Sequence, residues 1–246
     1  MSTVIRPEGH DSVLGPCHSW KDQQKRISDY ISHNKLQSAL RTRLLLAQHD
    51  NETVTVYQAY KPSIGLSAAR NGHFRNSEFS FSRMTWIKPS FSWIMNRSGW
   101  ATKKNQELVL AIRLHRQYFD ELLEQSVETR WDAAKFSSIE EWRIALKDSD
   151  VLVQWDPEHH VLSGAPLSYR VIQIGIRRKA LEGFNSCGIV SILNITERVH
   201  ELRKELMSVP SDYDLSCENE TPLETIYSME ETTRTKRFGK CLLAEL

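Results

Sequence analysis

The stretch SFSRMTWIKPSFSWIMNRSGWAT, Ser80 to Thr102, carries the signal that organises the rest of the chain. Met84 to Ile87 reads as a strand. Pro89 then opens a short helix through Trp93 and Met95, which Ser98-Gly99 stops. A strand ending at Lys88-Pro89 and running into a helix places Lys88, Ser90 and the first free helix N–H groups at one edge. Such an edge suits an anion, because unpaired amides and the helix dipole favour negative charge there. Trp93 and Arg97 are four apart and share a helical face. Arg83, Thr85 and Trp86 precede them. An aromatic plane beside a guanidinium is chemistry for stacking a base or nicotinamide and pairing a phosphate. The competing reading is a tryptophan-rich core with a solvated basic rim.

The same strand–helix phrase occurs upstream, in VYQAYKPSIGLSAARNGHF, Val56 to Phe74. Glu52 to Tyr60 is β-branched and aromatic and predicts a strand. Lys61-Pro62-Ser63 opens a helix that Asn71-Gly72 closes. Gln58 and Tyr60, two apart, face one side of the sheet, where each must find a ligand or a backbone partner. Downstream, Glu107 to Leu114 predicts a buried strand and His115 to Val127 a helix with Phe119, Leu122 and Leu123 facing inward. Ser138 caps a helix over 139–147, with Glu141 completing a capping box. Val151 to Trp155 and Tyr169 to Ile176 read as strands separated by a turn at Asp156-Pro157. Cys187 to Ile195 reads as a last strand, after which Thr196 caps a closing helix through Leu206. The polar segment Trp20 to His49, with Ile27, Tyr30, Ile31, Leu36, Leu40 and Leu44, suits one or two amphipathic helices. The expected fold class is α+β, with a mixed, largely antiparallel sheet core and short flanking helices. Val56, Ile87, Val109, Ala111, Val153, Ile172, Ile174, Val190 and Ile192 are expected to share one core.

Length and composition fit this picture. The 246 residues, 40% hydrophobic and 26% charged, suffice for one sizeable domain without a metal or disulfide staple. A formal charge of +1 removes the simplest electrostatic case for a nucleic-acid protein. Met1 to Ser19 lacks periodicity and reads as a mobile arm, followed by a single domain over 20–207 with a helical segment at 20–49. Residues 208–246 form an acidic tail, net −4 from Val209 onward, which leaves +5 for the body. Low hydrophobicity with excess charge predicts disorder and rapid proteolysis after about Ser208, unless Leu242-Leu243 docks on the body. Arg234-Thr-Lys-Arg237 resembles a nuclear address on a solvated tail. No signal-peptide core or membrane-spanning run is visible, and Cys17, Cys187, Cys217 and Cys241 form no CxxC pair. Reduced thiols in the cytosol or nucleus are therefore expected.

Several chemistries are excluded by absence of their motifs. There is no GxGxxG or GxxxxGK[ST] phosphate cradle, and no GxSxG elbow. Asp156-Pro157-Glu158-His159-His160 lacks a second ligand pair for zinc and reads as a surface turn, so no metal is expected.

In order along the chain, VYQAY, FSRMTWIKPSFSWIMNRSGW, LAIRL, VQWDPE and YRVIQIGI resemble the bacterial and fungal family known as domain of unknown function 4291, over roughly residues 52–198. VYQAYKPSIGLSAARNGHF is also remotely similar to the opening of ADP-ribosyltransferases, which implies a split-sheet architecture and NAD as substrate. In that superfamily the first strand presents His or Arg to NAD, where this chain has Gln58. MTWIKPSFSWIMNRSGW stands at the second motif, and YRVIQIGI stands where a third motif carries a catalytic Glu. Gln173 is the nearest match there and cannot act as a carboxylate. The resemblance thus assigns Gln58, Lys88 and Gln173 to the reacting centre. It gives Tyr60, Arg83, Thr85, Trp86, Ser90, Trp93, Arg97, Arg113 and Arg170 to cofactor binding, with Lys88, Arg97 or Asp156 supplying charge in place of the missing Glu.

The leading expectation is an ADP-ribosyltransferase-like domain that either transfers ADP-ribose from NAD to an unknown protein or nucleic-acid acceptor or, lacking the catalytic Glu, binds NAD or a related nucleotide without turnover. One alternative is a nucleic-acid module whose basic, Trp-rich segment stacks unpaired bases. Another is a protein-interaction domain that makes its contact through the acidic tail.

Overall fold

The β-branched run and the two proline-led helices become the frame of the molecule. A computed structural model describes residues 16–34, 42–208 and 220–229. In chain order its elements are β1 (Cys17–Ser19), α1 (Trp20–His33), β2 (Arg43–Leu44), β3 (Leu46–Ala47), β4 (Thr53–Tyr60), α2 (Pro62–Asn71) and β5 (Thr85–Ile87). Then come α3 (Phe91–Ser98), β6 (Leu108–His115), α4 (Arg116–Glu124), β7 (Val127–Glu128), α5 (Ile139–Asp148), β8 (Val151–His159) and β9 (Pro166–Ile176). The rest are α6 (Arg178–Gly183), a π turn (Phe184–Gly188), β10 (Ile189–Asn194), α7 (Thr196–Met207), β11 (Glu220–Pro222) and β12 (Thr225–Ile226). The fold is α+β. None of its described helices is long and apolar enough to cross a membrane.

Two sheets meet at one point. β4, β6 and β10 form an antiparallel sheet in the order β10-β6-β4. The larger sheet runs β2-β9-β8-β7, with β5 antiparallel to β9 beyond the β2 pairing and parallel contacts at its margins. A single bridge joins them, Tyr57 to Lys88, in which each backbone N–H donates to the other's carbonyl at 2.7 and 3.2 Å. Two small ribbons, β1–β11 and β3–β12, tie the C-terminal segment to the body.

Alternation divides the apolar residues among three clusters. Val54, Val56, Leu110 and Ile112 of the smaller sheet pack with Ile87, Val153, Ile172 and Ile174 of the larger one, under α2 and α4. Tyr57, Val109 and Ala111 face the other way, against α3 and α7. Val109 and Ala111 are therefore buried as expected, but in a second core. Ile27 of α1, Leu44, Leu46, Tyr169 and Val171 make the third.

Four local expectations change. Val190 is 45% exposed, because the β10–β6 register shifts between Ile189 and Ser191 and turns it outward. Stability to urea should accordingly stay within about 0.5 kcal/mol in Val190→Ala and fall by roughly 2–5 kcal/mol in Ile192→Ala. Near the end of the expected N-terminal helical segment, Arg43–Leu44 and Leu46–Ala47 form β2 and β3 instead. Leu44, Leu45, Leu46 and Ala47 are all buried, and a run apolar at every position satisfies helical and strand periodicity alike. β8 continues through Asp156-Pro157 to His159. Among the described residues no strand pairs on its β7 side beyond Val153, so the N–H that proline lacks has no bond to lose there. In the cap of α5, Ser138 accepts from the Glu141 amide at 3.1 Å, but the Glu141 carboxylate accepts from Ser137, one residue before the cap.

The ends differ most. Cys17–Ser19 pairs with Glu220–Pro222, so the arm becomes strand before Trp20. Tyr227 and Met229 lie in the main core, so residues 220–229 of the expected tail are part of the body. Gln23 of α1 clasps this returning segment: its amide donates to the Thr221 hydroxyl at 2.7 Å and the Pro222 carbonyl at 3.1 Å, and its oxygen accepts from the Glu224 N–H at 2.9 Å. Residues 1–15, 35–41, 209–219 and 230–246, including Arg234–Arg237, Leu242-Leu243, Cys217 and Cys241, lie outside the described residues.

Candidate functional site

Side-chain alternation on β8, β9 and β5 leaves one face polar. Val151, Val153, Ile172, Ile174 and Ile87 turn to the core. Their neighbours Gln154, Asp156, Gln173 and Trp86 turn away from it. Gln154 stands opposite Gln173, and Trp86 opposite Gly175. A Cβ at Gly175 would meet the Met84 sulfur at 2.7 Å and the Trp86 indole at 3.0 Å, so glycine is what lets both side chains come this close to the strand.

Asp156 is held in this face by two amides. Gln154 donates to one carboxylate oxygen at 3.0 Å and Gln173 to the other at 2.6 Å. Lys88 follows directly from β5. It is only 9% exposed, and its ammonium donates to the Trp86 carbonyl at 3.1 Å and stands 5.1 Å from the centre of the Trp93 ring. Burial, with the Arg97 guanidinium next in weight, lowers its pKa to about 7, and Asp156 acts in the opposite sense. No ion pair to Lys88 occurs among the described residues; a lysine snorkelling at a sheet edge onto a surface carboxylate is not what forms. Trp93 and exposed Arg97, both on α3, stand over the same end of the face.

Expected residues outside this group fall into four places. Gln58 and Tyr60 occupy the seam between the sheets. The Gln58 amide donates to the Thr85 hydroxyl at 2.8 Å and the Trp86 carbonyl at 3.1 Å, while the Tyr60 and Thr85 hydroxyls are bonded at 2.8 Å. Gln58 is buried, and its Oε1 has no donor among the described residues. Burial pushes the Tyr60 phenol up to about 12. Arg113 lies on the other sheet, bonded to Asp50 and Thr53. Arg170 shares the opposite face with Ile172 and donates to the Trp155 carbonyl, and Arg83 is exposed in the turn before β5. Neither arginine reaches Lys88.

The helix edge itself is already filled. Ser90 caps α3, accepting from the Trp93 amide at 3.3 Å, and its hydroxyl donates to buried Glu158 of β8. The next free amide, of Phe91, donates to Glu224 from the C-terminal segment. Protein carboxyls thus occupy the place read from the sequence as an anion site. Pro89 precedes the cap rather than forming the first turn. Burial raises Glu158 to about 7, against the hydrogen bonds from Ser90 and His159, and raises Glu224 well above the usual carboxyl range, with Glu158 adding to it. Asp156, Glu158 and Glu224 were the residues the motifs undervalued. The first two looked like a turn, and only the fold brings Glu224 to α3.

Residues 44–227, about three quarters of the chain, match the family described as "Domain of unknown function (DUF4291)". The chain belongs to this family. The DUF4291 match begins at β2 and ends at Tyr227, so it takes in the face around Lys88 and the returning segment that carries Glu224. No curated protein matches the chain.

Proposed function

We propose that the polar face of β8, β9 and β5 binds NAD or a related nucleotide, and that the chain is an ADP-ribosyltransferase-like domain. The observation that carries this reading is the Asp156 carboxylate, oriented by Gln154 and Gln173 beside buried Lys88 and the rings of Trp86 and Trp93. The position where the resemblance calls for Glu holds Gln173, and Gln173 presents a carboxylate from the neighbouring strand. Further support comes from the strand order, β8-β9-β5 beside β4-β6-β10, with backbone pairing between the two sheets, among the described residues, at Tyr57–Lys88.

In this reading Trp86 or Trp93 stacks on a ring of the nucleotide, and Lys88 and Arg97 neutralise its phosphates. An anion beside Lys88 restores the charge that burial disfavours. Asp156 orients a ribose hydroxyl and steadies positive charge developing on the ribose as the nicotinamide leaves. Two titrations test this. A nucleotide at 100 times its dissociation constant should add about 2.7 kcal/mol to stability and change tryptophan fluorescence. Lys88→Ala should fold and lose at least tenfold in affinity, whereas Asp156→Asn should keep binding and lose ADP-ribose transfer. The absence of any response to millimolar NAD or ADP-ribose would overturn the reading.

A further inference from the structure

A cavity of about 300 Å3 lies between α1 and the returning C-terminal segment. Its apolar wall is made by Ile27, Tyr30 and Ile226; Ile27 belongs to the third core cluster, and the other two pack against it. That volume is in the range of small-molecule sites. An apolar cavity of about 150 Å3 takes a benzene, so this one has room for roughly a dozen heavy atoms.

Most polar side chains of the lining are engaged elsewhere. The Gln23 amide clasps Thr221, Pro222 and the Glu224 N–H. The Thr225 hydroxyl is bonded to the His49 ring at 3.0 Å, and the Ser228 hydroxyl donates to the Met229 carbonyl. The Glu224 carboxyl accepts from the Phe91 amide, which lies outside the cavity, and burial disfavours its charged form. Arg26 is different. It is exposed on α1 and donates to His18 Nδ1 at 3.1 Å, and no carboxylate pairs with it among the described residues. A guanidinium carries five donors in a fork that fits a carboxylate two at a time, so its capacity is far from filled. The chamber thus joins an apolar wall to an uncompensated cation, which complements a molecule with a hydrocarbon body and one negative end.

We propose that this cavity binds a small apolar carboxylate, an alkanoate or arylalkanoate, with its hydrocarbon body against Ile27, Tyr30 and Ile226 and its carboxylate on Arg26. None of these residues belongs to the polar face around Lys88, so the proposal stands apart from the nucleotide reading.

Calorimetry on the full chain at neutral pH with octanoate and 3-phenylpropanoate tests this. Octylamine, which has the same body and the opposite charge, should bind roughly fivefold or more weakly than octanoate. Arg26→Gln should lose about fivefold for octanoate and leave the affinity for octan-1-ol unchanged. Affinity should rise about three- to fourfold per added CH2 from hexanoate to decanoate and stop rising by about dodecanoate, when the chamber is full. Ile226→Trp, which fills the chamber, should abolish binding; if it fails to fold, octanoate against octylamine on the wild type decides. Octanoate binding more tightly than 3-phenylpropanoate would assign an alkanoate, and the reverse an aryl acid. Octylamine binding as tightly as octanoate, equal losses for octanoate and octan-1-ol in Arg26→Gln, unchanged binding in Ile226→Trp, or no binding of either acid would overturn the proposal.

Discussion

Tyr227→Ala should unfold in urea with a stability about 3–5 kcal/mol below that of the wild type, the loss expected for removing a large aromatic ring from a packed core. Tyr227 has no exposed surface. Its ring meets Phe119 and His49 edge-on and carries the Arg116 guanidinium 5.0 Å from its centre. Its hydroxyl donates to Asp120 at 2.6 Å, and its backbone N–H donates to the Leu45 carbonyl at 2.8 Å. Tyr227→Phe keeps the ring and loses only the hydroxyl's bond, so it should cost about 1–2 kcal/mol. Arg116 also reaches the Ser228 carbonyl, which makes the anchorage two-sided. A loss below 1 kcal/mol in Tyr227→Ala would mean that the C-terminal segment is an appendage rather than part of the core.

The second large effect is one of pH. Wild type should lose roughly 3 kcal/mol of stability relative to Glu158→Gln as pH rises from about 4.5 to above 7. The unfolded chain releases the Glu158 proton near 4.5, whereas burial holds it in the folded protein until about 7. Across that window the unfolded state binds fewer protons, so stability falls with rising pH; once both states are ionised, the deficit is constant. The size follows from a shift of about 2.5 units at about 1.36 kcal/mol each. His49, His159 and His160, whose pKa values burial lowers, contribute with the opposite sign in the same range. They act equally in both proteins and drop out of the difference. The glutamine oxygen can still accept from the His159 amide while its NH2 donates to the Ser90 oxygen, so the variant reads the charge and not a lost contact. Parallel pH–stability curves for the two proteins would show that Glu158 ionises normally and is open to water.

Local chemistry in the sequence determined much of this protein. Proline-led helices closed by left-handed Gly72 (φ 71°) and Gly99 (φ 59°), and inward Phe119, Leu122 and Leu123 on α4, follow from side-chain geometry within a few residues. So does the approach of Lys88 to Trp93, because a strand passing directly into a capped helix leaves little freedom between them. The α+β class follows from the spacing of those strands and helices. What the sequence could not determine depends on partners far along the chain. Leu44 to Ala47 became strand because β9 and β12 flank it. Asp156 became the centre of the candidate site because Gln173, 17 residues on, bonds it. Glu224 reached Phe91 across 133 residues, filling the helix edge that local reading had left open for a ligand. Periodicity and capping act over one or two turns, whereas burial of a charged group is decided by everything that closes around it. For that reason the elements were legible residue by residue, and the raised carboxyls and the place of residues 220–229 in the body came from the tertiary structure alone.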